Sequence, residues 1–340
     1  MNDLCLQGLM RHRMTVFHYL PLILMSVILL ATFFTLKFAF FGMKHIILHR
    51  NSLILLQNMN VSAMLINVGG TFMMAYQIYL SSISVSQPCD LLIPYSECFI
   101  VRAPLVVGSI NIHTSILTFF IEQLFATVKS NHYEKRRHMS IVVIMILVQW
   151  CFGGLVLIFY AIGQFGMNLR VQICNLNTMD QQYRYLIVSC ALLINDIICF
   201  FIILILICYN RKLKRKMVTG QYSLSTRYQI RENIRFLRLA IRVSSVINAS
   251  SVINIVIRSA ISHNQKLKWI FWSCEPVIQN ISYVIIIILI EFENWRQRNR
   301  FIKDDAENID SITIMQDIWR DKIHSRQSIL NTLYNKIMIL

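Results

Sequence analysis

Among the polar side chains inside long apolar runs, six stand out: Asn111 and His113 in one run, Asn195 and Asp196 in a second, Arg258 in a third and Glu275 in a fourth. Groups of this kind are costly in an apolar setting and default to functional candidates. His113 and Asp196 fall near the middle of their runs. With Asn111 and Asn195 they are the expected lining of a ligand pocket. Arg258 and Glu275 fall at similar depth, which allows either an ion pair or a site for a polar ligand. A further pair, Glu122-Gln123, closes an apolar run and precedes the basic patch Lys129, Lys135, Arg136 and Arg137.

None of these spacings is an enzyme signature. There is no HExxH, no GxSxG and no phosphate loop. The nine cysteines form no CxxC pair and no Cys/His spacing suited to zinc. The expectation is a protein that is not an enzyme and holds no cofactor or metal. A transporter or channel is a competing reading, motivated by Asp196, Arg258 and Glu275. Its mark would be substrate flux in proteoliposomes that disappears on Asp196→Asn. Half-to-half symmetry and paired interrupted helices, which many transporters show, are not visible.

The runs themselves decide the class. Of 340 residues, 56% are hydrophobic and 15% charged, with a mean hydropathy of +0.53. That is well above an ordinary soluble domain. A bilayer core takes roughly 20 apolar residues per helix. Seven such windows lie near 16–41, 53–80, 101–127, 140–163, 184–209, 238–260 and 269–291. Continuous runs rather than short alternating segments predict helices, not a membrane barrel. The expected fold is therefore all-α, a seven-helix membrane bundle over residues 14–292, with a short N-terminal segment at 1–13 and a tail at 293–340. Arg11-His12-Arg13 resembles the start of a signal peptide, but the apolar run that follows is too long for one.

Charge in the connections sets the expected orientation. With the N-terminus outside, inner connections hold fifteen Lys and Arg and outer segments seven, Arg102 and Arg184 among the latter. The C-terminus then lies inside. The net charge of +16 is mostly this inner excess, suited to anionic membrane lipid, and gives no ground for a nucleic-acid partner. Cys151, Cys190, Cys199 and Cys208 read as buried thiols, whereas Cys89, Cys98 and Cys174 fall in outer, oxidising segments. The sequons at Asn60, Asn248 and Asn280 lie in spans and are expected to stay unglycosylated.

The sixth window is the most polar. At 100° per residue, Ser244, Asn248, Ser251, Asn254 and Arg258 share one face, with Val243, Ile253 and Ile257 turned elsewhere. Arg231, Arg235, Arg238 and Arg242 fall on the roughly opposite face of a helix continuous with the preceding connection. That geometry turns the arginines away from Glu122. Its expected partner is a loop cation, or the carboxyl is protonated. After the seventh window, EFENWRQRNRFI reads as a short amphipathic surface helix. The rest of the tail reads equally as a docking helix or as partly disordered.

Two segments resemble a known family. Glu122-Gln123-Leu124-Phe125-Ala126-Thr127 with Tyr133-Glu134-Lys135, and Tyr222 to Leu239, resemble nematode serpentine chemoreceptors of the Sra superfamily, closest to class epsilon. The resemblance implies a chemosensory receptor for a small molecule or peptide. It implies a plasma-membrane setting in sensory cilia and a heterotrimeric G protein as partner. Glu122, Gln123, Tyr133, Lys135, Arg136 and Arg137 would then form the G-protein face. The family pattern carries arginine where this chain has Gln123, which motivates an alternative as a non-signalling receptor. By likeness to rhodopsin-like receptors, Cys98, 25 residues before Gln123, is expected in a disulfide. Cys174 is its natural partner and Cys89 a rival.

Overall fold

The computed structural model describes residues 15–43, 50–82, 93–128, 139–162, 170–171, 182–219, 224–261 and 265–307. Among them are seven helices: α1 (Thr15–Lys37), α2 (Arg50–Ser82), α3 (Tyr95–Val128), α4 (Met139–Ala161), α5 (Gln182–Thr219), α6 (Leu224–Ile261) and α7 (Gln265–Glu307). A π turn, Phe38–Gly42, follows α1. A two-residue antiparallel ladder pairs β1 (Ile93–Pro94) with β2 (Arg170–Val171). The chain divides into two compact units after Ile290. In the second unit, the described residues are helical and Phe292 stacks on Trp295.

All seven helices are long and apolar enough to cross a membrane. Helices satisfy their own backbone groups, which lipid cannot do for them. Embedded hydroxyls are satisfied in the same way. Thr35 Oγ1 donates to the Ala31 carbonyl at 2.8 Å, and Ser251 Oγ to that of Ile247 at 2.9 Å. The sixth helix qualifies with a window hydropathy of 1.6, above the 1.3 of α2, so its Ser/Asn stripe does not disqualify it.

α3 is the central element, packed against α2, α4, α5 and α6. The main core joins Met59 and Ile66 of α2, Ile116 and Phe119 of α3, Ile203 of α5, Leu237 and Ile247 of α6, and Ile286 of α7. Close approach of α2 and α3 depends on two glycines. A Cβ on Gly69 would stand 2.6 Å from the Leu105 nitrogen, and one on Gly108 would stand 2.6 Å from the Ser62 carbonyl oxygen. Side chains such as Leu155, Ile205 and Val256 face outward, as a lipid-facing surface requires.

The connection after α5 is largely helical: RKLKRK continues α5 to Thr219, and α6 begins at Leu224. Lys and Arg are good helix formers, and Leu213 packs on Ile230 and Ile234 to hold the two extensions together. The continuous helix expected ahead of the sixth window is thus present. Arg231 and Arg238 are exposed, while Arg235 and Arg242 are half-buried and engaged. Ser244 is fully buried and Ile253 faces outward. Val243, expected elsewhere, packs in the core. Of the span cysteines read as buried, only Cys199 is; Cys151, Cys190 and Cys208 face outward.

Candidate functional site

A cavity of about 90 Å³ lies among α3, α4, α5, α6 and α7. Its polar lining comes from Arg102, Ser109 and His113 of α3, Tyr160 of α4, and Ser189 of α5. Ser250, Ser251 and Asn254 of α6 complete it with Glu275 and Gln279 of α7. Leu105, Val106, Ile110, Val188, Leu192 and Ile255 form its apolar wall.

Arg102 Nη2 donates to Glu275 Oε2 in an ion pair, with both residues 3% exposed. Taken out of water, two such charges hold only if each compensates the other. Glu275 lines the cavity. Its cation among the described side chains is Arg102, which the charge count had assigned to an outer segment and which is buried inside α3. The side chain of Arg258 lies outside the described residues.

His113 Nδ1 lies 2.6 Å from Asp196 Oδ2, and Asn195 Nδ2 donates to Asp196 Oδ1 at 3.4 Å. Asp196 is fully buried, with partners on both oxygens. The two mid-run candidates are thus one α3–α5 pair. His113 faces the cavity, and Asp196 with Asn195 stands behind it.

Asn111 is a correction. It is fully buried against α4, where a Cβ on Gly153 would be 3.1 Å from its Oδ1, and it does not line the cavity. Its backbone carbonyl, rather than its side-chain amide, joins a knot of amides that sequence reasoning missed. Gln149 Nε2 donates to the Asn111 carbonyl at 2.6 Å and to Ser115 Oγ at 2.9 Å. Asn58 Nδ2 donates to Gln149 Oε1 at 3.1 Å, and Trp150 Nε1 to Asn58 Oδ1 at 2.8 Å. The signal was present, since Gln149 is an isolated amide in the most uniformly apolar part of α4. The sequon residue Asn60 is buried, its Oδ1 accepting from Tyr283 at 3.1 Å, and Asn280 is buried too.

About 30 Å along α3 from Arg102, and about 14 Å from His113, at 1.5 Å per residue, Glu122 and Gln123 are both 3% exposed. Ser52 Oγ donates to Glu122 Oε2 at 3.2 Å, and Gln123 Nε2 donates to the same oxygen at 2.6 Å and to Ser52 Oγ at 3.3 Å. One turn beyond, Asn210 Nδ2 of α5 donates to Thr127 Oγ1 at 3.2 Å. Tyr133, Lys135, Arg136 and Arg137 lie outside the described residues, as do Cys89 and Cys174. Cys98 is disulfide-bonded, and its partner also lies outside them.

Seven membrane-length helices, with buried polar pairs joining α3 to α5 and α7 beside a cavity, define a multi-pass membrane protein of serpentine architecture. The chain belongs to the serpentine type 7TM GPCR receptor class ab chemoreceptors, whose family model matches residues 9–317. It is similar to serpentine receptor class alpha/beta-14 of Caenorhabditis elegans, at 24% identity over 196 residues. That match covers 57% of this chain and 50% of the relative, so the chain spans about half the length of the curated relative it matches. The class is ab, whereas the two motifs pointed to class epsilon. Those motifs cover about 30 residues, far fewer than the family match.

Proposed function

We propose that this chain is a chemosensory receptor. A small molecule or peptide entering the cavity biases the packing of α3, α5, α6 and α7, and a heterotrimeric G protein is engaged at the Glu122 end. One observation carries this reading: the cavity is walled by polar groups from five helices, so any ligand there makes different contacts in different packings. His113 and Glu275 are the ligand-facing residues, with Asp196 and Asn195 positioning His113, and Arg258 is retained as a candidate. Glu122, Gln123, Tyr133, Lys135, Arg136 and Arg137 form the G-protein face. The N-terminus (1–13) is outside, the bundle spans 14–292, and the tail (293–340) is inside. The membrane is the plasma membrane of sensory cilia. Cys98 pairs with Cys174, a reading supported by the ladder that brings residues 170–171 beside the strand preceding α3.

The test is G-protein activation in transfected cells exposed to soluble and volatile chemicals. A response is expected that disappears in Arg136→Glu with Arg137→Glu at unchanged surface display. A second reading, a non-signalling receptor, is favoured by Gln123, whose amide is engaged by Glu122 and Ser52 where the family pattern has a cation. Silence of the natural chain with a response in Gln123→Arg would select it. Silence in both would count against coupling altogether.

A further inference from the structure

Two acceptors on the cavity wall have no partner. Asn254 Oδ1 of α6 and Gln279 Oε1 of α7 are buried without a hydrogen bond, and Gln279 spends its Nε2 on Ser109 Oγ at 3.2 Å. Buried acceptors of this kind are expensive unless something donates to them. The charged groups nearby are already engaged. Arg102 holds Glu275, while His113 and Asn195 hold Asp196. Arg102 and Glu275 offset each other's charge, so an ammonium or carboxylate ligand would add a charge that this pair does not offset, and burying it is costly.

Size narrows the choice further. At about 90 Å³ the cavity is smaller than the roughly 150 Å³ cavity known to take a benzene ring. The apolar wall of Leu105, Val106 and Ile255 suits a short hydrocarbon stem behind a polar head.

We propose that the cavity selects a small neutral hydrogen-bond donor, an alcohol or primary amide of about four heavy atoms or fewer, donating to Asn254 Oδ1, to Gln279 Oε1 or to both. This deepens the receptor reading and rests on it for its biological meaning. Binding itself can be measured without signalling.

The experiment is saturation-transfer NMR on the full chain in lipid nanodiscs with five compounds of matched size: acetamide, 1-propanol, acetone, acetate and propylammonium. Acetamide and 1-propanol are expected to bind, and the acceptor-only ketone and both ions are not. Asn254→Leu with Gln279→Leu should weaken acetamide by about fivefold or more, the worth of a single hydrogen bond. Gln279→Glu should shift preference to propylammonium, a gain that a misfolded variant cannot give. Binding of acetone or either ion equal to acetamide overturns the proposal, as does no binding of any compound. Unchanged acetamide affinity in the double variant also overturns it. If acetamide binds through these acceptors and no G protein is ever activated, the receptor reading fails while this one stands. If a carboxylate or ammonium ligand activates through the cavity, the reverse holds.

Discussion

Arg102 and Glu275 show what a buried charge demands of its surroundings. Each is nearly sealed from solvent, and each is tolerated because the other is there. Arg102→Leu alone should cost about 3–5 kcal/mol by stranding Glu275, and Glu275→Leu should cost a similar amount. The double variant Arg102→Leu with Glu275→Leu should recover most of the loss. Thermal unfolding of the purified protein in nanodiscs measures all three, and a double variant as unstable as the sum of the singles would sink the pairing. At Gln149 the same logic involves amides rather than ions. Gln149→Leu removes the acceptor of Asn58 and two donated bonds, and about 1–3 kcal/mol of destabilisation is expected in the same melt. The sequence marked Glu275, His113 and Asp196 as costly residues. It did not reveal the partner of any of them, because a partner depends on which helix faces turn together.

Among the elements, α2 and α3 are set by the absence of side chains at their crossing. Gly108 faces the Ser62 carbonyl and Gly69 faces the Leu105 backbone, so neither helix can back away from an added Cβ without disturbing the core between them. Gly108→Ala should destabilise by about 1–3 kcal/mol, read from the unfolding midpoint, whereas Gly154→Ala, with open space at its Cβ, should change little. α4 ends on a borrowed cation. Arg184 of α5 donates to the Phe159 and Ile162 carbonyls at 3.0 and 2.6 Å and lies over the Phe159 ring. The charge count placed Arg184 in an outer segment, but its chemistry is that of a helix C-terminus. The extension of α5 to Thr219 was hidden for a related reason. RKLKRK reads as a loop by charge alone, and only the packing of Leu213 on α6 makes it a helix worth keeping.

For the whole molecule, one disulfide among the described residues starts from α3. Cys98 is in a disulfide, and Cys174 is the proposed partner. Cys98→Ser and Cys174→Ser should each lower stability by about 2–5 kcal/mol and together by no more than either alone, while Cys89→Ser should have little effect. Non-reducing peptide mapping gives the pairing directly, and a Cys89–Cys98 peptide would refute the assignment. The number of spans, their helical nature and the membrane class were all determined by sequence. Each is a local property: a bilayer demands about 20 apolar residues at a stretch and backbone groups satisfied within the stretch. Only tertiary structure could decide that Asn111 seals against α4, that His113 meets Asp196, and that Arg102 is the cation on Glu275. Those pairings depend on how each helix is rotated about its axis and which neighbours it meets, and these are set by contacts between residues far apart in the chain.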